Sequence, residues 1–89
     1  MYYLYILRSL DNNLYIGQTN NLEKRIKEHI EHLSKGSKFT KEHIGFKLVY
    51  KELFEKRIEA MRREKQLKGW TRAKKEALIT NNFDLLKRL

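Results

Sequence analysis

Hydrophobic and polar positions alternate with two different periods along this chain. Residues 2–8, YYLYILR, are apolar on both alternating faces. That is the pattern of a strand covered on both sides, and so central in its sheet. SLDNN (Ser9–Asn13) is a turn signal, since Asp and Asn tolerate left-handed backbone and bond their own main chain. Residues 14–19, LYIGQT, resume the strand pattern, so the two strands pair as an antiparallel hairpin. From about residue 21 to residue 33 the period becomes helical. Leu22, Ile26, Ile30 and Leu33 form one stripe, and Glu23, Lys24, Lys27, Glu28 and Glu31 form the solvated face. The stretch Thr19–Asn21 supplies the cap. SKGSKFTKEHIG then reads as a basic loop, and Phe46–Phe54 as a third strand. A second helix, EKRIEAMRREKQLK, stops at Gly69, and Thr71 caps a third, RAKKEALI. The tail TNNFDLLKRL offers Phe83, Leu85 and Leu86 for packing back on the core. This order predicts an α/β (α+β) domain, a three-stranded antiparallel sheet flanked by helices.

Two helices break their own pattern. His29 falls near the middle of the first helix's apolar stripe, with Arg25 one turn earlier on its flank. In the second helix Ala60, Met61 and Leu67 call for an apolar residue at position 64, where the chain has Glu64. A carboxylate on an apolar face is costly unless it is paired or holds a cation. Lys68, one turn on, permits a plain helix ion pair at the core rim. On the hairpin, Tyr3 and Tyr5 share one side of the first strand, and Tyr15 and Gly17 share a side of the second. Each tyrosine taken alone is an ordinary strand aromatic. A glycine inside a strand marks a place where a ligand or another backbone comes close. Together, tyrosines, an arginine, a histidine and a carboxylate are the parts for attacking a phosphodiester. The guanidinium grips phosphate oxygens, the carboxylate holds a hard divalent ion, and Tyr or His moves a proton.

Charge points the same way. Lys and Arg total 20 against 11 acidic residues in 89, a net +9. A domain this basic expects a polyanion, with nucleic acid first, and otherwise carries a well-solvated surface. The basic residues are spread over several elements, which argues against a membrane-surface helix. The chain has no cysteine, which excludes disulfides, thiolate chemistry and a Cys-based zinc site. The N-terminal MYYLYILRSL lacks a basic leader and its apolar run is short, so the expected location is cytoplasmic.

At this point the residues carry a resemblance. Tyr3-Leu4-Tyr5 followed by Tyr15-Ile16-Gly17 resembles the paired signature of the GIY-YIG endonuclease superfamily. Arg25 and His29 on the first helix, the KFT loop, and Glu64 in RREKQLKGW follow in the family's order. The whole is similar to the small single-domain members grouped with the UvrC N-terminal-like domains. The resemblance implies a nuclease domain over residues 1–80, with residues 81–89 as a tail. It implies metal-dependent hydrolysis of nucleic acid, DNA in preference to RNA, in repair or recombination. Glu64 would hold Mg²⁺ or Mn²⁺, Arg25 would stabilise phosphoryl charge, and Tyr5, Tyr15 or His29 would handle the proton. Gly17 would leave room for the phosphate. Lys35, Lys38, Lys41 and Lys68 would contact the nucleic-acid backbone. The chain departs from the family at Tyr3, which stands where the family has glycine. Asn81 and Asn82 are both candidates for the asparagine that many members carry after the glutamate. The rival readings are a non-cleaving nucleic-acid-binding module of the same fold and a protein-interaction module.

Overall fold

The middle of β1 (Tyr2–Ser9) is buried from Leu4 to Leu7, two successive side chains on each face. A strand that is apolar on both faces is stable only with a layer on each side. In the computed structural model, which describes residues 1–35 and 46–88, β1 is the central strand. Its neighbours are β2 (Leu14–Thr19) and β3 (Phe46–Phe54), in the order β2-β1-β3 and antiparallel throughout. The hairpin turns as its residue types require. Asn12 takes a left-handed φ of 68°, and its N–H donates to the Ser9 carbonyl at 3.0 Å.

Helix α1 (Leu22–Lys35) follows β2 and is capped by the Asn21 side chain, which accepts from the Lys24 N–H at 3.1 Å. It begins one residue later and ends two residues later than the sequence pattern indicates. The other face of the sheet carries α2 (Arg57–Lys68), α3 (Arg72–Ile79) and the short α4 (Phe83–Arg88). Leu4 and Ile6 meet Leu67 and Leu78 in the main core, with Ile16, Phe54 and Trp70 packed round it. Thr71 caps α3 as expected, accepting from the Lys74 N–H at 3.3 Å.

Two expectations about the core are corrected. Met61 is 44% exposed and outside the core. Ala60 and Leu67 lie within about 20° of each other round the helix, whereas Met61 lies about 100° off that line. In the tail, Leu86 packs against the core while Phe83 and Leu85 are exposed. A helix as short as α4 turns only a narrow strip inward.

Polar pairs fix the helices to the sheet. Arg63 on α2 donates to both oxygens of Glu52 on β3, at 3.0 and 3.1 Å, and its guanidinium lies 5.3 Å from the Trp70 ring centroid. Tyr50 also donates to Glu52; burial first, and that bond second, push its hydroxyl up to about 12. Arg8 of β1 clasps Glu76 of α3 with both terminal nitrogens and also donates to the Asn12 side chain at 2.6 Å.

Leu67→Ala should cost about 2–5 kcal/mol, because it empties a fully buried position where strand and helix meet; urea unfolding measures it. The Glu76 carboxyl is held below the usual carboxylate range, first by hydrogen bonding from Arg8. A depressed folded value contributes stability above the unfolded carboxyl range and loses it as pH falls through the folded value. Glu76→Gln should therefore melt below wild type near about pH 7, with the gap closing toward about pH 3. Thermal melts followed by circular dichroism at the two pH values test this.

Candidate active site

The β1–β2 register sets Gly17 opposite Tyr5, Tyr15 opposite Leu7 and Thr19 opposite Tyr3. Directly paired residues project to the same face, so the tyrosines and the glycine share the side of the sheet away from the main core. A Cβ at residue 17 would stand 2.6 Å from Cζ of Tyr5. Only glycine fits there, because the phenol of Tyr5 lies across β2. Gly17 is expected from the resemblance to leave room for a phosphate; in the structure the Tyr5 phenol lies against it.

Tyr5 is 1% exposed, yet its hydroxyl is met by a cation. Nε of Arg25, one turn into α1, donates to the Tyr5 hydroxyl at 3.2 Å, and its Nη1 reaches Glu28 at 3.4 Å. The Arg25 guanidinium is raised above its ordinary value, first by the bond to Tyr5, with Glu28 a smaller contributor. About half of the Arg25 side chain (48%) stays exposed. Its stem is therefore fixed while its charge remains open to a ligand. Tyr15 lies on the same face and is 38% exposed.

Glu64 belongs to the layer on the opposite face. Its side chain is 22% exposed, and its Oε1 accepts from Lys68 Nζ at 2.7 Å. The ion pair read from the sequence is thus present, and it occupies the lysine expected to meet nucleic acid. Among the described residues no group of three His, Cys, Asp or Glu is placed to hold a metal ion. Glu64 nevertheless keeps Oε2 unbonded among them. One such oxygen fits a hydrated Mg²⁺, which keeps several waters and takes one or two carboxylates plus substrate phosphates, and does not fit a dedicated all-protein cage.

The two layers meet round the open edge of the sheet at β2. A cleft of about 370 Å³ there is lined by Tyr2, Gln18, Thr19, Asn20, Arg25 and Arg57. Arg25 comes from α1 on one face and Arg57 from the first position of α2 on the other. Glu64 stands seven residues after Arg57, so it lies on the same edge of α2, within about 20° and about 10 Å further along. Sequence reasoning passed over Arg57. The signal was available in that seven-residue spacing from Glu64, but one unpaired arginine in a chain with 20 basic residues does not stand out.

The remaining expected site residues divide simply. His29 and Lys35 belong to α1, and their side chains lie outside the described residues, as Lys38 and Lys41 do entirely. Asn81 takes a left-handed φ of 57°, and the Asn82 side chain accepts from the Leu85 N–H at 3.2 Å. Both asparagines serve the turn between α3 and α4.

Comparison with known proteins decides the family. The family model for the GIY-YIG catalytic domain matches residues 1–77. The chain belongs to the GIY-YIG family. Within it, the chain belongs with the UPF0213 proteins. It is 44% identical over 78 residues to one from Staphylococcus haemolyticus, covering 88% of this chain and 93% of that one. It is 48% identical over 81 residues to one from Clostridium perfringens, covering 91% and 85%. The solution NMR structure of a UPF0213 protein from Bacillus halodurans is 40% identical and superposes with a TM-score of 0.58, covering 90% of this chain and 84% of that one. The GIY-YIG fold read from the motifs is therefore the fold of this chain. Among its described residues no helix is long and apolar enough to cross a membrane.

Gly17→Ala should cost about 1–3 kcal/mol by forcing the Tyr5 ring off its seat. Adding Tyr5→Leu to Gly17→Ala should cost less than the sum of the two single changes, since both act on one contact. Denaturant unfolding of the three variants gives the coupling.

Proposed function

We propose that this GIY-YIG protein is a metal-dependent endonuclease that hydrolyses phosphodiester bonds in nucleic acid, DNA in preference to RNA. The observation that carries the reading is the buried Tyr5 hydroxyl bonded to a half-exposed Arg25, on a face shared with Tyr15, within a match to a catalytic domain. A guanidinium fixed by its stem and open at its tip is arranged to bind phosphoryl oxygens and the charge that gathers on them. Tyr5 sets the direction of that guanidinium. Tyr15, part-exposed on the same face, would orient the attacking water, with Tyr5 and His29 as the other candidates for the proton. Glu64 would hold Mg²⁺ or Mn²⁺, which when bound polarises the phosphate as a Lewis acid. The net charge of +9 supports a polyanionic substrate. DNA repair or recombination is the setting that suits such an activity.

One observation favours a second reading. Glu64 is already neutralised by Lys68, as it would be in a non-cleaving nucleic-acid-binding module. Nicking of supercoiled plasmid with Mg²⁺ or Mn²⁺ separates the two. Wild type should nick, EDTA should abolish nicking, and Glu64→Ala should remove it while leaving the fold intact. Arg25→Ala should lower the rate by about 10²–10³, as loss of a charge-stabilising donor does elsewhere. A folded wild type that cuts neither plasmid nor branched or single-stranded DNA, yet binds them in a salt-sensitive way, would move the assignment to the binding module.

A further inference from the structure

We infer that the cleft at the β2 edge is a second phosphate subsite, in which Arg57 grips a backbone phosphate flanking the one held at Arg25. The inference rests on the nucleic-acid reading above and adds to it a residue that lies outside the motif positions.

The cleft brings two guanidiniums from different helices to one opening, and none of its described lining residues is acidic. The other four side chains, Tyr2, Gln18, Thr19 and Asn20, all carry hydroxyl or amide donors. Two like charges facing a common space repel, and an anion between them removes that repulsion. Arg57 has no carboxylate partner among the described residues, whereas Arg8, Arg25, Arg63 and Arg72 each have one. Arg62 and Arg88 likewise have none among the described residues, so the missing partner alone does not single out Arg57. Its position does. Arg62 lies about 140° round the helix from Arg57, on the outward side, while Arg57 shares the cleft with Arg25. Among the described residues Arg25 directs Nε to Tyr5 and Nη1 to Glu28, which leaves Nη2 for a ligand in the cleft.

The polar, open shape suits an extended chain of phosphates better than a closed small-molecule pocket. A strand entering at Arg57 would pass the outer edge of β2 and reach Arg25. Glu64 stands on the same edge of α2 as Arg57, so one helix edge would serve both the grip on the strand and the carboxylate. The contact would be to backbone and would carry no sequence preference.

The test is binding of fluorescein-labelled DNA, single-stranded and duplex, in EDTA across a salt series. Wild type, Arg57→Gln, Arg57→Lys and Arg62→Gln are compared, with melting curves to confirm folding. Arg57→Gln should weaken binding several-fold and flatten the dependence of log affinity on log salt by about 0.7–0.9, one phosphate contact. Arg57→Lys should keep the slope, and Arg62→Gln should keep both slope and affinity. Wild-type slope and affinity in Arg57→Gln would overturn the subsite and leave the nuclease reading intact. Equal losses from Arg57→Gln and Arg62→Gln would overturn it too, since only diffuse charge would then count. Failure of wild type to bind either DNA at low salt would overturn the subsite together with the reading beneath it.

Discussion

The phenol of Tyr5 occupies the volume that any side chain at residue 17 would need. Much of the arrangement follows from that one steric fact. The ring crosses β2, so its hydroxyl ends up away from the middle of the sheet and needs a polar partner in a buried place. Arg25 supplies it from the second turn of α1. The bond ties α1 to the hairpin and holds an arginine that is otherwise half in solvent. A bulkier residue at position 17 would displace the ring, the bond and the arginine together.

The opposite face is held by charge pairs anchored beside apolar contacts. Glu52 takes both forks of Arg63, and Arg63 lies over Trp70, with Lys74 5.9 Å from the same ring. These contacts set how α2 is rolled against the sheet. With Ala60, Leu67 and Arg63 turned toward the strands, the edge carrying Arg57, Glu64 and Lys68 is directed to β2. The face carrying Tyr5 and Arg25 and the helix edge therefore lie on different layers and meet round an edge strand of only six residues. A short edge strand also leaves room for a ligand to approach both layers at once.

Much of this was legible in the sequence. The two-sided apolar run of Tyr2–Arg8 marks a central strand, since no edge or half-solvated strand tolerates it. Asn12 announces its left-handed turn and Thr71 its cap because each depends on bonds within a few residues. Glu64 is visible as a break in an apolar stripe, and the structure shows a carboxylate that is partly buried and paired with Lys68. Met61 is exposed although its neighbour Ala60 is buried, because adjacent residues on a helix point about 100° apart and only the partner surface selects one of them.

The sequence by itself determined the elements, the central strand, the family signature and the excess of positive charge, all of which rest on local periodicity or composition. Only the tertiary structure decided that Gly17 makes room for Tyr5, that Arg8 meets Glu76 across 68 positions, and that Arg57 shares a cleft with Arg25. Spacing along a chain fixes which side of its own element a residue takes. Which side chain of another element stands opposite is set by how the layers pack, and local spacing carries no record of that.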